Sequence, residues 1–86
     1  MAYELDVDPD AQDQIRALPP EGLKALVEAF EVLVLVPERG RPLNPDNPEG
    51  GLFQLTFAGG RGLVTYLLLR SQARVDVLVV TWVSFD

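Results

Sequence analysis

The chain has 86 residues, enough for one domain and too few for two, and a formal charge of −6 from 13 acids against 7 bases. That balance argues against strong nonspecific nucleic-acid binding, which draws its affinity from Lys and Arg neutralising phosphates. Without cysteine there is no disulfide or thiolate metal site, and without histidine the usual proton carrier near neutral pH is missing.

The opening segment MAYELDVDPD is acidic and carries no apolar run of the signal-peptide kind. No later stretch reaches the roughly 18 apolar residues of a membrane span, so a cytoplasmic protein without membrane contact is expected. Tyr3, Leu5 and Val7 alternate with Glu4, Asp6 and Asp8, the pattern of a strand with one wet face. Alternate strand residues stand roughly 6.6–7 Å apart, which suits repulsion between these acids better than shared coordination, and no metal is expected. Asp8 then serves as an N-cap with Pro9 at the first helical position, which predicts a short helix from Pro9 to Leu18. Pro19-Pro20 stops it.

A second helix is predicted from Pro20 and Glu21. Leu23, Leu26, Val27, Phe30, Leu33 and Val34 recur at helical spacing and read as its core stripe. The run VLVLV at 32–36 is β-branched, but no turn separates it from the helical pattern, so it reads as a helix end buried all round. Residues 37–51 hold four prolines and three glycines and read as one long loop. Three strands follow as a meander: Leu52 to Phe57, Arg61 to Arg70, and Val75 to Val83. Ala58-Gly59-Gly60 and Ser71-Gln72-Ala73-Arg74 supply the turns. The order β-α-α-β-β-β predicts a single α+β domain, a two-helix hairpin on one face of a mostly antiparallel four-stranded sheet.

Read with strict alternation, the last strand carries Val75, Val77, Val79, Thr81 and Val83 on one face and Asp76, Leu78, Val80 and Trp82 on the other. The strand before it is apolar on both faces as well: Leu63, Thr65, Leu67 and Leu69 against Val64, Tyr66 and Leu68. A half-solvated antiparallel sheet alternates apolar and polar residues, and two helices cover only one side. Two readings stand. Either the long loop and Phe85 fill the second face, or a protein partner or a second copy covers it. The partner reading selects Val64, Leu68, Leu78, Val80 and Trp82 as the contact residues.

These residues carry a family likeness. The opening Y-x-L-x-V, the spacing of Pro9, Ala11, Ile15 and Leu18, the proline-bearing loop, F-x-L-x-F, a glycine turn, and GLVTYLLL leading to VDVLVV together resemble the RelE/ParE superfamily of toxins from type II toxin–antitoxin modules. The last two segments are similar to small actinobacterial proteins labelled plasmid-stabilisation or RelE-like. The resemblance implies a toxin whose sheet carries either an mRNA-cleaving site used on the ribosome or a gyrase-inhibiting surface. It also implies an antitoxin that wraps the toxin and blocks it. RNA cleavage through an activated 2′-hydroxyl needs a base, an acid, and cations for the developing phosphorane charge.

The set that the family uses is largely missing here. Tyr66 is present in the middle meander strand, but Leu63 stands where the family has arginine, with Arg61 two residues earlier at the turn. Thr81, Trp82, Val83, Ser84 and Phe85 replace the family's C-terminal arginine–tyrosine pair, and Lys24 is the only lysine. Arg61 and Tyr66 are thus the remaining catalytic candidates, and Arg39 and Arg41 around Gly40 the candidates for phosphate or RNA. Gly59-Gly60-Arg61-Gly62 joins two strands, whereas a phosphate loop precedes a helix, and no cofactor is expected. Three functions follow: a toxin-family protein acting by binding an antitoxin or itself, an active endoribonuclease, or a regulatory or structural homodimer.

Overall fold

Strand β1 (Glu4–Val7) ends at Asp8, whose carboxylate accepts the Asp10 amide at 3.1 Å, and Pro9 opens helix α1 (Pro9–Arg16). The structure, a computed structural model, describes residues 2–44, 46 and 51–83. Helix α1 closes two residues before the expected Leu18. The amides of Ala17 and Leu18 bond to the carbonyls of Gln14 and Ile15, which tightens the last turn ahead of Pro19.

Helix α2 (Pro20–Leu35) carries the β-branched run through to Leu35, because no turn interrupts it. Its buried stripe, however, is Gly22, Leu26, Ala29 and Leu33, while Leu23 and Val27 face solvent. Gly22 explains the rotation. A Cβ there would stand 3.0 Å from the Trp82 ring, so the missing side chain lets the helix backbone settle against the sheet. Nor is the helix end buried all round, since Val32, Leu35 and Val36 are exposed.

Two described parts of the long loop take up regular structure. Pro37–Arg39 form a 3-10 turn, and Arg41–Pro42 form a two-residue strand, β2, with Leu43 N–H donating to Leu52 O at 2.8 Å. An edge strand tolerates proline because its missing N–H would face outward. Residues 45 and 47–50 of this loop, and Phe85, lie outside the described residues, so the expected filling of the second face by Phe85 does too. Strands β3 (Gly51–Phe57), β4 (Gly62–Leu69) and β5 (Arg74–Trp82) complete a sheet in the order β1-β5-β4-β3-β2. The β1–β5 pair is parallel and the others are antiparallel. The fold is α+β with two helices on one face, as expected, with five strands rather than four.

The β4–β5 register decides the two faces. Thr65 pairs with Val79 but Tyr66 pairs with Val77, which leaves Leu78 as an extra residue in β5. Such a bulge inverts the alternation beyond it. The helix-covered side of β5 is therefore Val75, Val77, Val80 and Trp82, not the alternating set read from sequence. The Val80 amide, beside the irregularity, donates to Gln14 Oε1 at 2.6 Å and ties α1 to β5. The core lies between the helices and this side: Ala11, Leu26, Ala29 and Leu33 pack with Phe53, Phe57, Val64, Tyr66, Leu68, Val75, Val77 and Val80. Among the described residues no helix is long and apolar enough to cross a membrane.

This corrects the expected partner surface. Val64, Leu68 and Val80 are at most 4% exposed under the helices, Trp82 is partly buried against Gly22, and Leu78 is the bulge residue. The bulge and the helix position place the true open face on the other set of side chains.

Candidate functional site

The open face can be read across the strands from their pairing. Leu69 stands beside Arg74 and Glu4 in one row, and Leu52, Leu67, Asp76 and Asp6 form the next. Gln54, Thr65 and Val79 follow, with Arg41 next to Gln54, and then Thr56, Leu63 and Thr81. Five apolar side chains (Leu52, Leu63, Leu67, Leu69 and Val79) thus share the face with hydroxyls and an amide. Carboxylates occupy the β1 end and arginines the β2 end. Arg74 chelates Asp76 at 2.8 and 3.2 Å, and this bond, with the nearby Asp6 and Glu4, holds the guanidinium above its ordinary pKa.

At the β2 end, Tyr66 fixes the arginine-bearing loop from beneath. Its hydroxyl donates to Pro37 O at 2.6 Å and accepts the Gly40 N–H at 3.1 Å. The ring stacks on Phe53 with centroids 5.6 Å apart. Gly40 is required at this approach, since a Cβ would lie 2.5 Å from the Tyr66 hydroxyl and 2.7 Å from the Gln54 carbonyl oxygen. On the turn's outer side Glu38 accepts from Arg70 at 2.9 Å. Arg39 and Arg41, on either side of the pinned glycine, are exposed and make no ion pair among the described residues. They border a cleft of about 360 Å³ with Gly40, Gln54, Leu55, Thr56 and Leu63.

Chemically, this cleft can hold an anion. Two guanidiniums offer forked donors to phosphate or carboxylate, and Gln54 and Thr56 add neutral polar groups. The lining holds no histidine and no carboxylate, the side chains that most often serve as general base or acid. Tyr66 does not fill that role. It is fully buried, and burial pushes its phenol above the ordinary value, with its proton committed to Pro37 O.

Arg61 belongs to another corner. Its guanidinium carbon sits 4.6 Å over the Trp82 ring, its Nε donates to Val83 O at 3.4 Å, and a terminal nitrogen lies 3.8 Å from Glu21. It does not line the arginine cleft, and among the described residues Arg61 and Tyr66 share no hydrogen-bond partner. Trp82 itself packs on Phe57 at 6.0 Å, with its Nε1 buried and without a partner among the described residues. Of the catalytic and phosphate-binding candidates singled out from sequence, Arg39 and Arg41 are the two that line this cleft. The sequence reading did not single out Gln54 and Thr56, although the alternation of β3 places them on its wet face, and it grouped Leu63, Leu67 and Leu69 on one face but chose the other as the contact surface.

No family model matches the sequence, and no curated protein matches it. Solved structures do. The toxin–antitoxin complex RelBE2 of Mycobacterium tuberculosis is similar with a TM-score of 0.78 at 28% identity, covering 95% of this chain and 99% of that chain. The isolated E. coli RelE toxin gives a TM-score of 0.78 at 19% identity, covering 99% and 88%. The chromosomal ParDE system of P. aeruginosa gives 0.66 at 15% identity, covering 96% and 98%.

Proposed function

We propose that this chain, which has the fold of the RelE/ParE toxin superfamily, is the toxin-family member of a toxin–antitoxin module and acts mainly by binding a protein antitoxin over the open face of its sheet. The observation that carries this reading is the composition of that face. Five apolar side chains lie between carboxylates at one end and, at the other, arginines that make no ion pair among the described residues, beside a cleft lined by no histidine or carboxylate. Covering each large side chain stabilises a complex by roughly 1.5–3 kcal/mol, before the costs of association. Several structural neighbours are themselves complexes of a toxin with its antitoxin, which supports the same reading.

The second reading, an mRNA endoribonuclease, draws on one observation, the Arg39–Arg41 cleft, which suits a phosphate. A histidine or carboxylate for its proton transfers would have to come from outside the cleft. Co-expression with the product of the adjacent reading frame, followed by calorimetric titration, tests the first reading. Leu67→Glu, on the open face, is expected to weaken that complex at least about tenfold while the chain stays folded. Expression of the chain alone tests the second. Growth arrest with mRNA cleavage that disappears in the Arg39→Ala, Arg41→Ala double variant would establish the nuclease and overturn the binding-only reading. Growth arrest with intact mRNA points to a target such as gyrase.

A further inference from the structure

Helix α2 turns to solvent a face that no described part of the chain covers. Leu23, Val27 and Leu35 are 43%, 49% and 70% exposed, and Leu23 and Val27 line a shallow groove with Pro20, Lys24, Glu28 and Glu31. This face lies opposite the core stripe of Gly22, Leu26, Ala29 and Leu33. Among the described residues Lys24, Glu28 and Glu31 make no ion pair. Lysine four residues before glutamate is the weaker order for pairing along one helix, which leaves these charges available to a neighbour.

We propose that this face is the contact between two copies of the chain, with their α2 helices packed antiparallel about a two-fold axis beside Val27 and Glu28. In that register Lys24 stands opposite Glu31 of the second copy and Glu31 opposite its Lys24. Leu23 faces Val32, Pro20 faces Leu35, and the two Val27 side chains meet near the axis. A self-complementary patch is what a two-fold contact requires. A parallel pairing would instead set Lys24 on Lys24 and Glu31 on Glu31, so the charge pattern selects the antiparallel one. The contact is on the opposite side of the molecule from the open sheet face, so it does not rest on the antitoxin reading and leaves that face accessible.

Sedimentation equilibrium of the full chain across the micromolar range tests it. The unaltered chain is expected to dimerise, and Val27→Asp to be a folded monomer. K24E and E31K are each expected to raise the dissociation constant about tenfold or more, since each turns two attractions into two repulsions. Mixed one to one, these two variants are expected to form a heterodimer at least as tight as the unaltered pair, because both ion pairs are then restored. Leu67→Glu, on the other side, is expected to leave the dimer intact. A chain that stays monomeric throughout, or a dimer indifferent to K24E and E31K, overturns the proposal. So does a dimer broken by Leu67→Glu, or a failure of the two charge variants to recover on mixing.

Discussion

Leu63 and Val64 are adjacent in sequence, similar in chemistry, and on opposite faces of β4, where their circumstances differ completely. Val64 sits under the helices with no exposure, whereas Leu63 borders the arginine cleft on the open side. Hydrophobicity alone does not distinguish them. The covered face is a packed core in which each side chain is held by many neighbours, whereas the open face leaves its apolar side chains partly in contact with solvent.

The sharpest way to break this comparison is to place one charge on each side. Val64→Asp buries an unpaired carboxylate and is expected to cost about 3–5 kcal/mol or to prevent folding, whereas Leu63→Asp is expected to stay within about 1 kcal/mol. Urea unfolding of the two variants checks it, and equal costs would mean that both faces are core. Gly40→Ala comes next. Its Cβ would meet the Tyr66 hydroxyl and the Gln54 backbone, so one strand or the loop must move, at an expected cost of about 2–3 kcal/mol.

Tyr66→Phe keeps the ring and removes one hydroxyl, leaving Pro37 O and the Gly40 N–H without their partner. The expected loss is about 1–2 kcal/mol, with faster amide exchange at Gly40. The same substitution has a pH signature. Burial raises the folded phenol above its unfolded pKa, so its contribution is complete below the unfolded value, about 10, and is lost as pH rises through the folded one. Melting temperatures from pH 9 upward should therefore fall more gently for Tyr66→Phe than for the unaltered chain. The smallest effect is expected at Glu38, whose carboxyl is lowered by its backbone hydrogen bond and then by Arg70. That contribution is present above the unfolded carboxylate pKa and fades as pH falls through the lowered folded value. At so exposed a site Glu38→Gln should change stability by less than about 0.5 kcal/mol.

Much of this architecture is legible locally. The Asp8 cap, Pro9 and the Pro19-Pro20 stop announce α1, and the glycine turn at 58–60 separates β3 from β4, because caps and turns are written in adjacent residues. The site is less legible. Arg39 and Arg41 draw notice as a pair around a glycine, but their cleft depends on Gln54, Thr56 and Leu63 from two other strands. Tyr66 reads as a candidate acid in a strand, yet its hydroxyl is taken by a loop that precedes it by more than twenty residues. No spacing along the chain predicts that bond.

The amino-acid sequence by itself determined the order of the elements apart from the two-residue strand β2, the helix boundaries to within two residues, and the excess of apolar side chains in the last two strands. These follow from short-range propensity and periodicity. Only the tertiary structure decided which side of the sheet is core. One extra residue at Leu78 reverses the phase of β5, and Gly22 seats α2 against Trp82 and turns Leu23 and Val27 outward. Both depend on contacts between segments far apart in the chain, where packing and not local pattern fixes the energy.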